Sequence, residues 1–79
     1  MIDNNGEQAS WRQRIVSTPD VLGGKPRVDG TRIPVALILG YLAAGSSRDE
    51  IIIEFPDLAP ADIAACLDYA RDLAEYQVV

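Results

Sequence analysis

The spacing of apolar side chains in the second half of the chain predicts helices. After Pro34 they recur every three or four positions, and Gly45 supplies a stop, so helix one is expected between these two residues. Proline suits the first helical position because that N–H has no partner within the helix. A longer helix three is expected from Pro60 to about Tyr76, where the same spacing returns. Its predicted apolar face is Ile63, Cys66, Leu67, Ala70, Leu73 and Ala74.

Between these helices lies the signature of a short helix two. Ser47 followed by Glu50 forms a capping box, in which the hydroxyl accepts from the third amide and the carboxylate accepts from the cap N–H. Helix two is therefore expected from about Arg48 to Phe55, where Pro56 ends it. The run of three isoleucines at 51–53 covers more of this helix than one buried stripe needs. It is explained by the core alone or by packing on a second subunit as well.

The first half of the chain has the pattern of β-structure. Large and polar side chains alternate over Trp11–Val16, which is the period of a short strand. Residues 27–33 predict a small hairpin around Asp29-Gly30, a dipeptide suited to a type I′ turn. Gly30 is assigned to that turn.

These elements predict one domain with a helix-turn-helix. A short helix, a tight turn and a longer helix after a first helix indicate a mainly α, homeodomain-like three-helix bundle. The short strand and the β-hairpin precede it as a wing. Residues 11–79 are expected to form the domain and residues 1–10 a flexible N-terminus. Because so short a chain buries little apolar surface, a homodimer is expected.

Charge divides the 79-residue chain into two parts, although the net charge is −5. Residues 1–32 hold five basic and four acidic side chains, and residues 33–79 hold two basic and eight acidic ones. The basic residues expected to contact DNA phosphates are Arg12, Arg14, Lys25 and Arg27. The acidic residues expected to bind a protein partner by mimicking phosphate charge are Asp62, Asp68, Asp72 and Glu75. The alternative for both sets is a solvated surface.

The sequence lacks the residue types that catalysis and metal binding usually require. It has no histidine and a single cysteine, Cys66, which is expected to be a small buried hydrophobe. We therefore expect no catalytic residues, no metal site, no cofactor and no enzymatic activity. No apolar run approaches the length of a membrane helix, and a cytoplasmic location is expected.

The stretch GGKPRVDGTRIP at 23–34 looks like a phosphate-binding loop. A nucleotide-binding P-loop requires Gly-Lys-Ser/Thr at a helix start, whereas Lys25 precedes a proline. The structural roles assigned are a tight turn for Gly23 and Gly24 and the helix start for Pro34. Arg32 has two candidate roles: a bidentate pair with a carboxylate of the last helix, which is favoured, or a nucleic-acid contact.

With GGKP, GTRIPV, G-S-x-x-E-I and FP-x-L in this order and spacing, residues 15 to about 73 resemble the family called domain of unknown function 433. The resemblance implies the helix-turn-helix fold behind a short β-element. It also implies an antitoxin that neutralises a PIN-like ribonuclease toxin and regulates its own operator. The chain departs from the family's pattern in the hairpin, where relatives commonly carry an apolar residue at Arg27 and a basic one at Asp29.

The third helix argues against DNA reading. Recognition helices present Arg, Lys, Asn or Gln from their first turns, and residues 60–65 offer none of these. Weak DNA binding is therefore expected from the N-terminal basic residues alone. The alternative function is a protein-protein interaction module on a helix-turn-helix scaffold that binds no DNA.

Overall fold

A computed structural model describes residues 10–76 of the chain. The predicted flexible terminus therefore lies outside the described residues, apart from Ser10. The elements follow in the order 3-10 turn Trp11–Gln13, strand β1 Ile15–Val16, 3-10 turn Leu22–Gly24, strand β2 Arg27–Val28, and helices α1 Val35–Ala43, α2 Arg48–Glu54 and α3 Pro60–Tyr76. The predicted class is confirmed: a mainly helical bundle behind a short two-stranded antiparallel hairpin.

The helix boundaries agree with the sequence signals. α1 ends in a Schellman motif, in which the Ser46 N–H donates to the Tyr41 carbonyl at 3.0 Å and the Gly45 N–H donates to the Leu42 carbonyl at 3.0 Å. Gly45 has a φ of 98°, a left-handed conformation that glycine adopts without steric cost. The predicted capping box at Ser47 and Glu50 is present at the start of α2.

The pairing of the hairpin differs from the prediction. β1 pairs with β2, with Ile15 opposite Val28 and Val16 opposite Arg27. The turn at Asp29-Gly30 instead reverses the chain after β2, so that Pro34 forms an isolated antiparallel bridge with Arg27 of β2. Only Gly30 in this turn has a positive φ, 81°, so the turn is of type II rather than the predicted type I′. The segment 11–16 is also only half extended, because residues 11–13 form a 3-10 turn.

The stretch 22–24 forms a compact left-handed turn. Leu22, Gly23 and Gly24 have φ values of 54°, 65° and 87°. Leu22 is the residue under strain here, since residues other than glycine rarely adopt this backbone conformation. The turn brings the chain from Pro19 to β2 and contains no helix N-terminus, so it lacks the geometry of a P-loop.

The core lies between the hairpin and the three helices. Its buried members are Ile15, Val28, Val35, Ile38, Ile51, Leu58, Ile63, Ala65 and Cys66. The buried face of α3 is rotated from the predicted apolar face: Ala65, which is not part of that face, is buried, whereas Leu67 and Leu73, which are, are 46% and 45% exposed. The rotation occurs because residues 11–15 pack against α3 beside its predicted apolar face.

The described part of the chain shows two further properties. None of its helices is long and apolar enough to cross a membrane. Within residues 10–76, no group of three or more His, Cys, Asp or Glu side chains is arranged to hold a metal ion.

Candidate interaction surfaces

Trp11 anchors the N-terminal segment to α3. Its ring meets the ring of Tyr69 edge-on, with centroids 4.7 Å apart and an interplanar angle of 87°. The indole Nε1–H donates to Oδ2 of Asp72 at 2.6 Å, and the Trp11 backbone N–H donates to Oδ2 of Asp68 at 3.3 Å. The Arg12 guanidinium lies 4.5 Å from the centroid of the indole. One aromatic side chain thus joins the segment to two successive turns of α3.

Three arginines pair with the carboxylates of α3. Arg14 lies 3.0 Å from Asp62, and Arg71 lies 2.8 Å from Asp68. Asp72 lies 3.8 Å from both Arg12 and Arg71. We call these six side chains the α3 charge network. Three cations and three anions cancel, so the network as a whole is neutral.

Asp62 is the buried member of the network and has two tasks. It is 8% exposed and stands in the first turn of α3. One oxygen accepts from Nη1 of Arg14 at 3.0 Å, and the other accepts from the backbone N–H of Ala59 at 2.8 Å. The second bond is one half of a capping box. The other half cannot form, because the cap residue Ala59 has no side-chain hydroxyl. Asp62 therefore starts α3 and fixes the N-terminal segment to it.

The structure brings two predicted surfaces together. Arg12 and Arg14, predicted to contact DNA, form ion pairs with Asp72 and Asp62, which were predicted to bind a protein partner. Between the N-terminal segment and α3 lies a cleft of about 570 Å³ whose walls include Ala61 and Ala64. The charged side chains that line this cleft are Arg12, Arg14 and Arg71 with Asp68 and Asp72, whereas Asp62 is buried. The cleft therefore presents no anionic surface for a basic partner. Of the predicted partner-binding residues, Glu75 remains exposed outside the network.

The other predicted DNA contacts lie in the hairpin. Lys25 is exposed, whereas the Arg27 guanidinium is held by hydrogen bonds to the Thr31 carbonyl and the Thr18 hydroxyl, each at 3.0 Å. Arg32 is exposed and shares a hollow of about 540 Å³ with Arg27 and Asp57. Within residues 10–76, Arg32 forms no ion pair with α3; Arg14 makes the contact that had been favoured for Arg32. Within the described residues, the hairpin cations thus take no part in the ion pairs of the α3 charge network.

The exposed face of α2 was not predicted as a site. Asp49, Glu50, Ile53 and Glu54 are all exposed, and Ile53 is 80% exposed. Helical geometry places these four side chains on one side of α2, opposite the buried Ile51. The linear pattern gave one hint, because three consecutive isoleucines cannot all face a single core. The acidic residues next to the isoleucines gave no separate signal in the sequence, because carboxylates are common along the whole chain.

Cys66 is fully buried near Asp62, and this position favours the protonated form of its thiol. Burial, and secondarily the negative charge of Asp62, raise the pKa of the thiol from 9.0 to about 11. The folded state therefore keeps the proton to a higher pH than the unfolded state does. The protonated Cys66 thiol makes its full contribution to stability below the pKa that the thiol has in the unfolded chain. This contribution is lost as pH rises through the pKa of the thiol in the folded protein.

We therefore expect the free energy of unfolding to fall as pH rises from about 9 to about 11. The Cys66→Ala variant should show a smaller fall, because it has no thiol to ionise. Urea titrations of both proteins across this range measure the difference. Identical pH profiles for the two proteins would contradict a raised thiol pKa.

Comparison with known proteins decides the family. The family model described as "Protein of unknown function (DUF433)" matches residues 15–70. The chain belongs to the DUF433 family. The match covers both strands, α1, α2 and most of α3, so it includes the hairpin as well as the bundle.

Two relatives give the DUF433 assignment further support. The chain is 39% identical over 63 residues to the uncharacterized protein y4eO of Sinorhizobium fredii (strain NBRC 101917 / NGR234), a match that spans 80% of this chain and 28% of that protein. It is also similar to the crystal structure of a DUF433 member from Anabaena variabilis ATCC 29413, with a TM-score of 0.73 and 33% identity. That similarity covers 80% of this chain and 62% of the other. The chain thus corresponds to about a quarter of the curated relative's length.

Proposed function

We propose that this DUF433 chain is antitoxin-like: it binds a PIN-like ribonuclease as a protein partner and does not read DNA with α3. The observation that carries the proposal is the α3 charge network. In a helix-turn-helix protein the corresponding helix presents polar side chains to base edges. Here its first turns carry alanines, and its carboxylates are paired with arginines. The scaffold supports protein binding better than base reading.

The net anionic charge that remains favours a partner with a basic surface. A ribonuclease needs such a surface to hold its RNA substrate, and an acidic protein that covers it blocks the enzyme. Since the network neutralises Asp62, Asp68 and Asp72, the anionic contact must come from elsewhere in the chain. Because RNA cleavage of this kind acts on cellular transcripts, the proposal places the chain in the cytoplasm, as a homodimer bound to its partner.

Co-purification with the product of the adjacent gene tests this function. The full chain and its neighbour are co-expressed with a tag on the neighbour alone, and the complex is sized by light scattering. The proposal expects a complex of fixed stoichiometry and loss of ribonuclease activity within it. A neighbour that lacks ribonuclease activity, or one that does not retain the chain, would contradict the proposal.

Weak operator binding is a second candidate function, and the hairpin favours it. Residues 25–32 carry three cations and one carboxylate, a net charge of +2. With about three phosphate contacts per subunit, the slope of log K against log salt would be about −2.7 per subunit. We expect the double variant Lys25→Ala, Arg32→Ala to reduce the magnitude of this slope by about 1.8 per subunit, because two phosphate contacts are lost.

Fluorescence anisotropy with a labelled operator fragment over a range of salt concentrations measures these slopes. Arg48→Ala, which removes an exposed cation outside the hairpin, serves as the control and should leave the slope unchanged. A wild-type slope near zero would leave protein binding as the sole function. Equal losses from the hairpin variant and the control would refute the hairpin as the DNA site.

A further inference from the structure

The exposed side of α2 combines a hollow, two carboxylates and an aromatic ring. The hollow has a volume of about 250 Å³ and is lined by Tyr41, Ser46, Glu50, Ile51 and Glu54. Glu50 and Glu54 are four residues apart, so both lie on the same side of the helix. Tyr41 reaches the hollow from α1 and is held by Phe55, with ring centroids 5.5 Å apart. The packing of α1 on α2 thus places the aromatic ring beside the two carboxylates.

Charge distinguishes this side of the molecule from α3. Residues 48–57 contain one arginine and four carboxylates, a net charge of −3. Among the ion pairs of residues 10–76, none involves these carboxylates, whereas Asp62, Asp68 and Asp72 are all paired. Glu50 does accept a hydrogen bond from the Ser47 N–H, which fixes its carboxylate beside the hollow.

An apolar contact lies beside the hollow. Ile53 is 80% exposed, the highest value among the large apolar side chains of the described residues. It comes three residues after Glu50, so helical geometry places the two side chains next to each other on the surface of α2. An exposed aliphatic side chain with an acidic rim fits an amphipathic partner with basic residues.

From these features we propose that the α2 surface, defined as Tyr41, Glu50, Ile53 and Glu54, binds a cationic side chain of a protein partner. A lysine or arginine enters the hollow between Glu50 and Glu54, with its charge over the ring of Tyr41. A neighbouring aliphatic side chain of the partner covers Ile53. A second copy of this chain is a poor occupant, because a two-fold contact through α2 would oppose two surfaces of the same sign. The proposal rests on the proposed function and names the surface and partner chemistry for it.

The test uses the full chain, ¹⁵N-labelled, and a helical peptide of arginine and leucine as the probe. We expect chemical-shift changes confined to residues 41–57. The double variant Ile53→Lys, Glu54→Lys should bind the peptide at least about tenfold more weakly, since it removes both contacts and reverses one charge. Both positions are exposed, so the variant should fold, which its own spectrum checks.

The matched control is Leu67→Lys, Glu75→Lys on α3. It changes the same types of exposed side chain and the net charge by the same amount. It should bind the peptide with unchanged affinity. Equal weakening in both variants, shift changes centred on α3, or no binding by the wild-type protein would each overturn the proposal.

A second arm separates this inference from the proposed function. The two double variants are compared in the co-purification with the adjacent gene product. Reduced retention of the α2 variant alone by the tagged neighbour supports the proposed surface. Equal retention of both variants overturns the surface and leaves the antitoxin-like function standing. If the neighbour does not retain the wild-type chain, the antitoxin-like function fails, while the peptide titration still decides whether α2 binds a cationic segment.

Discussion

The Trp11→Ala variant is expected to lose about 3 kcal/mol of unfolding free energy, at the lower end of the range for removing a packed tryptophan. The side chain packs edge-on against Tyr69 and donates to Asp72, so its removal breaks an aromatic pair and a charge-assisted hydrogen bond together. A domain of this size has a total unfolding free energy of roughly 5 kcal/mol, so the variant should keep less than half of its stability. The N-terminal segment should then leave α3.

The measurement is a urea titration followed by far-ultraviolet circular dichroism, because Trp11 is the chain's one tryptophan and its fluorescence is lost with it. The control is Trp11→Phe, which keeps an aromatic ring against Tyr69 and loses only the indole hydrogen bond. It should cost about 1 kcal/mol. A loss below about 1 kcal/mol for Trp11→Ala would mean that the N-terminal segment does not stabilise the bundle.

Asp62→Ala is expected to destabilise the fold by about 2 kcal/mol, because it removes a cap bond and a charged hydrogen bond at once. The Ala59 N–H at the start of α3 loses its acceptor, and Arg14 loses its partner. Ala59 is exposed and the Arg14 side chain is 42% exposed, so both groups can bind water in the variant and the loss should be moderate. The same variant should lower the pKa of the Cys66 thiol, which the charge of Asp62 raises in the native protein.

Two observations check the Asp62 prediction together. Chemical denaturation gives the stability, and the pH dependence of thiol modification gives the shift in the pKa of Cys66. Glu75→Ala on the same helix is the matched control and should change stability by less than about 0.5 kcal/mol, as exposed substitutions usually do. If Asp62→Ala and Glu75→Ala behave alike, the buried carboxylate has no special part in starting α3.

The sequence predicted the helices well because their ends are coded locally. Gly45 at the end of α1 and the Ser47–Glu50 box at the start of α2 depend on residues within one turn of each boundary. The order of the elements and the resemblance of the motifs then led to the fold class. The start of α3 was placed correctly from Pro60, although the contribution of Asp62 to its cap was not foreseen.

The surfaces were harder to predict because they depend on contacts between residues far apart in the chain. Trp11 and Asp72 are separated by 61 positions, and nothing in either neighbourhood signals that they meet. The acidic residues of α3 therefore read as a free surface, although the structure shows that arginines at 12, 14 and 71 pair with them. The hairpin shows the same limit: Ile15 pairs with Val28 across the intervening turn, whereas local turn chemistry favoured a hairpin within residues 27–33.

The neutral α3 changes how the molecule is expected to recognise a partner. Asp62, Asp68 and Asp72 serve mainly to fasten the N-terminal segment to α3. The anionic surface that remains lies on α2, where the hollow beside Tyr41 has the shape and charge for a cationic side chain. Binding through Glu54 and stability through Asp62 are thereby assigned to separate carboxylates, which can be mutated independently.

The contact between Trp11 and α3 holds the N-terminal segment in place, and solution NMR measures it in the wild-type chain. Nuclear Overhauser contacts between the Trp11 indole and the Tyr69 ring are predicted, since the ring centroids lie 4.7 Å apart. The indole Nε1–H should also exchange slowly with solvent, because it donates to Asp72. Absent Overhauser contacts together with rapid exchange would contradict the account, because Asp68 and Asp72 would then be free to form the anionic surface of α3.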